Sequence, residues 1–297
     1  MSLDTRSTRE ILRTINREDH RVAPAVLKAV PQIAGAVDLA VETIRNGGRL
    51  VYLGAGTSGR LGALDAVECL PTFGTTSVVG VLAGGPPAML ASVEGSEDDD
   101  RQAVRDLRAI MLTKVDLLVG ISASGRTPYT LAGMRYARRL GAKVVALCSN
   151  PGSAMEREAD VAIVLRTGPE VVAGSTRMKA GTAQKLVLNM ISTATMVRLG
   201  RVLSNLMVNV QLTNEKLWQR AQAIVVRETG ASPATAQRAL RESGGDLPLA
   251  LLMLWKRVSR DEAARLVASG STIAAVLREA QKESRKQIKR QRPKGEG

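Results

Sequence analysis

Apolar residues recur at three- and four-residue steps from Val22 through Val26, Val30, Ile33, Val37 and Val41 to Ile44, the spacing of one helix face. The pattern predicts helices over 7–19 and 22–46, the second stopped by Asn46-Gly47-Gly48. Arg49–Leu53 follows as a short apolar run ending in glycines, the form of a buried parallel strand. Similar runs return at 77–82, 116–121, 143–148 and 161–165, with helical patterns between them near 60–68, 87–112 and 128–140. Such alternation predicts an α/β domain with a parallel sheet. From Ser175 to Leu199 the pattern is one long, sparsely charged helix, expected to pack in a core or a subunit interface and to continue as helix through Val202–Leu217. Beyond residue 220 two stretches resemble each other. Ser232, Ala236, Ala239 and Leu240 match Ser259, Ala263, Leu266 and Val267, and each stretch leads through glycine into another apolar helix. This reads as a small helical domain of two hairpins, too few for a solenoid.

Length and composition narrow the class. A chain of 297 residues, 44% hydrophobic and 24% charged, has room for a sizeable core and is not globally disordered. Its two cysteines, Cys69 and Cys148, rule out a disulfide scaffold and a Cys-x-x-Cys site, and a single histidine rules out a poly-histidine metal site. A Ser-His-Asp triad is disfavoured for the same reason. The net charge of +14 admits a polyanionic partner. However, residues 278–297 alone contribute +5, and aromatics at 2% supply few platforms for single-stranded nucleic acid. The polar start, with Asp4, Arg6, Arg9 and Glu10, carries no secretory signal, and the longest uncharged stretch, 69–93, is broken by Pro71, Pro86 and Pro87. A reducing cytoplasm is the expected compartment.

Five segments carry candidate chemistry. Gly54-Ala55-Gly56-Thr57-Ser58-Gly59-Arg60 follows a strand and opens a helix. It matches G-x-G-x-x-G but lacks the acidic residue expected about 20 positions on for a dinucleotide. Hydroxyls beside a helix N-terminus suit a phosphate monoester instead. Ser122-Ala123-Ser124-Gly125-Arg126-Thr127-Pro128 repeats the arrangement after another strand. Glu68 stands near the C-terminus of the first loop's helix, where a base would be favoured. The acidic run from Glu94 through Glu97 to Asp100 stands out in a basic chain, and its composition singles out no one carboxylate. Finally, Arg177 and Lys179 oppose the dipole of the long helix unless an anion, such as the carboxylate of Glu170, lies nearby.

In this order the five segments resemble the N-acetylmuramic acid 6-phosphate etherases, bacterial cell-wall-recycling enzymes with a sugar isomerase (SIS) fold. The resemblance covers about residues 3–277 and includes Ser7-Thr8-x-Glu10-Ile11, Ile15-Asn16-x-Glu18-Asp19, Gly174–Leu188 and Thr213–Leu217. It implies a three-layer parallel-sheet SIS domain with helices on both faces, N-terminal helices, and a small ubiquitin-associated-like helical domain. The implied divisions are 1–46, 47–220 and 221–278, with 279–297 a basic, disordered tail. The implied activity is that of a carbon–oxygen lyase: elimination of D-lactate from N-acetylmuramic acid 6-phosphate, then water addition, giving N-acetylglucosamine 6-phosphate without metal or other cofactor. Carried over residue by residue, Glu68 is the proton donor and Glu97 the second catalytic carboxylate, while Thr57, Ser58, Gly59, Ser122, Ser124, Gly125 and Thr127 bind the sugar phosphate. The resemblance also implies a homodimer, with no membrane or nucleic-acid partner. Leu70 and Val67 depart from the family pattern, the stretch from Glu68 to Glu97 is slightly short, and the basic tail is not a family feature. An aldose–ketose isomerase or a non-catalytic sugar-phosphate sensor on the same fold is the alternative.

Overall fold

The computed structural model describes residues 2–212, 214–269 and 272–291. These form two compact units, one comprising the chain through Glu68 with Thr76–Thr195, the other Cys69–Thr75 with the chain from Met196 onward.

In the first unit, five parallel strands, β1 (Leu50–Gly54), β2 (Val78–Leu82), β3 (Leu117–Ile121), β4 (Lys143–Cys148) and β5 (Val161–Val164), lie in the order β2-β1-β3-β4-β5. Leu50 pairs with Val78 on one side and Leu117 on the other. Every residue of β1 and β3 is buried, as expected for strands covered on both faces. Val51, Leu53, Leu118, Val144 and Ala146 form one face, covered by Ala103 and Leu107 of α5 (Asp100–Ala109), Met134 and Ala137 of α6 (Pro128–Leu140), and Met155 of α7 (Ala154–Arg157). The alternate face meets Gly35 of α3 (Val30–Arg45) at Val161 and Gly62 of α4 (Gly56–Phe73) at Tyr52. The domain is therefore the three-layer α/β arrangement that the sequence leads one to expect.

Local chemistry sets the ends of these elements. Ser7 and Glu10 form a reciprocal capping box on α1 (Thr8–Asp19). The helix expected over 22–46 is two helices, α2 (Val22–Lys28) and α3, because Pro31 has no N–H to carry the ladder across Ala29. The helix expected over 87–112 is also corrected. Pro86–Met89 is a single 3₁₀ turn, an irregular segment follows with Gly95 at φ +71°, and α5 starts at Asp100 behind the cap Asp99, whose Oδ1 accepts from Gln102 N. At the far end of the sheet, Asp116 is a hub. It accepts from the Arg49 amide at 2.8 Å, the Thr113 amide at 2.9 Å and the Arg49 guanidinium at 3.0 Å, tying the starts of β1 and β3 together.

The second unit has its own core, built around Val208, Ala221, Val225, Leu240, Leu247, Leu251 and Trp255. Helix is expected from Val202 to Leu217, but the chain instead makes a two-stranded antiparallel hairpin of β6 (Val202–Leu203) and β7 (Leu206–Met207). Ser204 turns it at φ +55°, and Asn205 completes the two-residue turn. Helices α9 (Glu215–Thr229), α10 (Pro233–Glu242), α11 (Leu247–Lys256), α12 (Arg260–Ser269) and α13 (Ile273–Gln291) follow. The two matched serines of the internal repeat do the same work: Ser232 accepts from Thr235 N, and Ser259 accepts from Glu262 N. Helix α13 buries Ala274, Leu277 and Ala280 and continues through 279–291, part of the segment expected as a disordered tail; residues 292–297 lie outside the described residues. The second unit begins upstream of the division expected near residue 220. No single helix among the described residues is long and apolar enough to cross a membrane.

Burial pushes the Asp116 carboxyl up, but the hydrogen bonds from Arg49 and Thr113 outweigh it and hold it below the ordinary value. Its stabilising contribution is present at neutral pH and lost as pH falls through that lowered value. Asp116→Asn is expected to cost about 1–3 kcal/mol at neutral pH. In denaturant titrations the gap from wild type should close only below about pH 4.

Candidate active site

The strand order places the two hydroxyl-bearing loops. Residues 55–59 leave the C-terminal end of β1 and residues 122–127 that of β3, and these adjacent strands pair at Gly54 and Ile121. The connection from β1 leads to β2 on one side of the sheet, and β3 leads to β4 on the other, so the order reverses between them. A crevice opens at such a reversal, outside the strands' carboxyl ends, and it is where open α/β sheets bind ligands.

The first loop is shaped by close contact. A Cβ on Gly59 would lie 2.4 Å from the Gly54 carbonyl oxygen, so α4 can start directly against β1 only with glycine there. Ser58 is 9% exposed, and its Oγ donates to Gln184 Oε1 at 3.0 Å on α8 (Lys179–Arg198). Gln184 is fully buried and its Nε2 has no hydrogen-bond partner among the described residues. Whichever way the amide is turned, one of its two polar atoms remains available. A Cβ on Gly181 of α8 would lie 3.4 Å from Thr57 Cγ2. Lower on α4, Asp65 accepts from Asn189 at 2.7 Å and Ser192 at 3.1 Å; burial raises its carboxyl, and these donors oppose the rise.

The second loop is a cluster of hydroxyls. Ser122 Oγ lies 2.7 Å from Thr127 Oγ1 and 3.2 Å from Ser124 Oγ, and it accepts from Gly125 N at 3.2 Å. Thr127 stands at the N-cap of α6 without a side-chain bond to that helix's amides. The three hydroxyls thus gather at a helix N-terminus, where the partial positive charge favours an anion.

The acidic run is anchored to both loops. Arg60, next to the first loop, donates to the Ala88 carbonyl at 2.7 Å and the Ala91 carbonyl at 3.0 Å. Tyr129, in the first turn of α6, donates its N–H to the Glu97 carbonyl at 3.0 Å. Its phenol donates to Asp106 Oδ2 at 2.6 Å, and burial with that acceptor pushes it well above the ordinary tyrosine range. The Glu97 carboxylate is exposed and makes no bond to the described residues. Backbone tethering to α6 distinguishes Glu97 from Glu94, which sits on the turn before Gly95.

Glu68 is placed differently. It lies twelve residues beyond Gly56 on α4, about 18 Å along the axis. The structure brings Thr57, Ser58, Gly59, Ser122, Ser124, Gly125, Thr127 and the Glu97 segment to one edge of the sheet, and leaves Glu68 far down α4 from the loops of its own chain. Glu68 is exposed beside Leu64 (47%) and Val67 (69%), apolar residues one helical turn apart. At the start of α8, the opposed dipole is answered by carboxylates: Glu170 accepts from the Lys179 and Ala180 amides, and the fully buried Lys179 Nζ reaches Glu18 at 2.7 Å.

The comparisons class this parallel-sheet unit as a sugar isomerase domain. The family model "SIS domain" matches residues 97–194, and "Glucokinase regulatory protein N-terminal SIS domain" matches 32–138. The phosphoheptose isomerase of Neisseria gonorrhoeae superposes with a TM-score of 0.52 at 18% identity, over 64% of this chain and 98% of that one; at that identity the likeness speaks for the fold. N-acetylmuramic acid 6-phosphate etherases of Yersinia pestis (strain Pestoides F) and Yersinia pseudotuberculosis serotype O:1b are each 54% identical over 265 residues, 89% of this chain and 90% of theirs. The chain belongs to the N-acetylmuramic acid 6-phosphate etherase family.

The tightness of the second loop is testable. Gly125 has φ +65°, and a Cβ there would lie 2.4 Å from Ser153 Cβ. Gly125→Ala is expected to destabilise the chain by about 2 kcal/mol or more. Gly174→Ala, at φ +83° but in open space, should cost about 1 kcal/mol. Thermal unfolding of both variants measures the difference.

Proposed function

We propose that the chain cleaves the D-lactyl ether of N-acetylmuramic acid 6-phosphate by elimination followed by water addition, in the cytoplasm. Family membership carries the reaction class, and the hydroxyl cluster at the β1/β3 reversal is the single structural observation that most supports it. Ser122, Ser124, Gly125 and Thr127 take the phosphate, at the positive end of α6. Thr57, Ser58 and Gly59 take the sugar hydroxyls, with the unused polar atom of Gln184 as one further partner.

The chemistry follows from the opened sugar. An aldehyde at C1 acidifies the C2 proton. The Glu97 carboxylate removes that proton, and its electron pair forms the C2–C3 double bond as the C3–oxygen bond breaks. Glu68, as the acid, protonates the departing lactyl oxygen, since a bare alkoxide leaves poorly. Water then adds, oxygen to C3 and hydrogen to C2, giving N-acetylglucosamine 6-phosphate beside D-lactate. The two carboxyl groups start in opposite protonation states, which requires different surroundings.

Those surroundings are supplied, in this reading, by a homodimer. With about 18 Å of helix between Gly56 and Glu68, the Glu68 that serves one crevice comes from a second copy, docked through the apolar surface around Leu64 and Val67. Two tests apply. Purified protein without added metal is expected to release D-lactate from N-acetylmuramic acid 6-phosphate in a coupled assay; no lactate at saturating substrate would contradict the reading. Glu68→Ala and Glu97→Ala, each expected to bind substrate without turnover, should regain up to about a quarter of wild-type activity when mixed dimers form, because one site per mixed dimer keeps both carboxylates. Confirmed mixed dimers that stay inactive would place both carboxylates within one chain.

A further inference from the structure

The helices that follow the two anchored segments, α5 and α6, border an open groove of about 480 Å³. Its lining is Asp100, Arg101, Val104, Arg105 and Arg108 from α5, facing Ala132, Arg135 and Arg139 from α6. Five arginines against one aspartate is an unusual surface. The α5 arginines stand at positions i, i+4 and i+7, one helix face covering about 10 Å of axis, and those of α6 stand at i and i+4.

Most of the acidic residues near these helices already have partners, two of them arginines of the groove itself. Asp106 is turned onto Tyr129 and Gln102. Glu158 holds Arg135 at 2.9 Å and Arg138 at 3.6 Å, and Asp99 holds Arg105 at 3.3 Å. Among the described residues Arg101, Arg108 and Arg139 have no carboxylate partner, and Arg108 lies over the Tyr136 ring at 5.7 Å. Three guanidiniums from two helices therefore line one groove unpaired among the described residues, with Asp100 the one carboxylate in the lining. None of them belongs to the sugar-phosphate crevice at the strand ends.

We infer that this groove binds a compact anion of linked phosphates, either free triphosphate or the triphosphate of a nucleotide. Guanidinium forks match phosphate oxygens two at a time, and arginines spread along about 10 Å of α5 and onto α6 extend past the reach of one phosphate monoester. The volume is that of a small-molecule site. The one aromatic ring beside it, Tyr136, is already covered by Arg108, so no stacking platform is offered to bases of a nucleic acid. The inference stands independently of the etherase reading.

Isothermal titration of the full chain with sodium tripolyphosphate at low ionic strength tests it. A single saturable site is expected, displaced by ATP and weakened steeply by salt. Combining Arg101→Ala, Arg108→Ala and Arg139→Ala should weaken binding at least tenfold at an unchanged unfolding temperature. The control combination Arg9→Ala, Arg13→Ala and Arg220→Ala, which removes the same charge elsewhere, should not. Three results would each overturn the inference: equal weakening in the control, orthophosphate binding as tightly as tripolyphosphate, or a single-stranded oligonucleotide binding far more tightly than either. Should the groove variant unfold at a lower temperature, Arg101→Lys with Arg139→Lys replaces it, and an affinity unchanged by that loss of forked donors would also overturn the inference.

Discussion

The contact between Gly54 and Gly59 governs the functional edge of this molecule. No side chain fits between the β1 carbonyl and the first turn of α4, so the helix begins immediately at the strand end and its free amide end faces the crevice. The rest of that edge follows from the same closeness. Ser58 is hydrogen-bonded to Gln184, and Arg60 is left positioned to grip the carbonyls of Ala88 and Ala91. The acidic run, which carries no regular structure up to Asp99, is thereby held at one end by the first loop's helix and at the other by Tyr129 of the second.

Polar partners reached across the fold also explain features that look unfavourable one by one. Two basic residues at the start of α8 oppose its dipole, yet Glu170 caps the helix and Glu18 neutralises Lys179. The Glu18 carboxyl is held below its ordinary range by the hydrogen bond from Lys179. Asp65, raised by burial, ties α4 to α8 through Asn189 and Ser192. Each of these pairs joins residues more than a hundred positions apart or capped from a separate loop, so each orders the chain at long range.

Much of the first unit was legible before any coordinates. Runs such as Leu50–Leu53 and Leu117–Ile121 are buried on both faces, which leaves a continuous apolar signature, and the glycine-rich loops after them can be recognised from local residues alone. What escaped was decided by turns or by distance. Pro86-Pro87 and Gly95 break the periodic pattern over 87–112, and the Ser204-Asn205 turn converts an apparent helix into a hairpin. Gln184 and Arg60 gave no local signal, because their partners lie 126 and 28 residues away. For Glu68, resemblance supplies a role but not a location; only the length of α4 shows how far it stands from its own chain's loops.

Charge divides the same way. In the proposed reading the crevice at the β1/β3 reversal takes a phosphate on hydroxyls and a helix end, whereas the five arginines of the groove stand on α5 and α6, outside it. The direct test of this division is a crystal structure of the chain with a non-cleavable analogue of the sugar phosphate. The phosphate is expected within hydrogen-bonding reach of Ser122, Ser124 and Thr127, with the lactyl oxygen turned away toward the carboxylates. A phosphate seated elsewhere, leaving those three hydroxyls bonded only to one another, would contradict the placement of the active site.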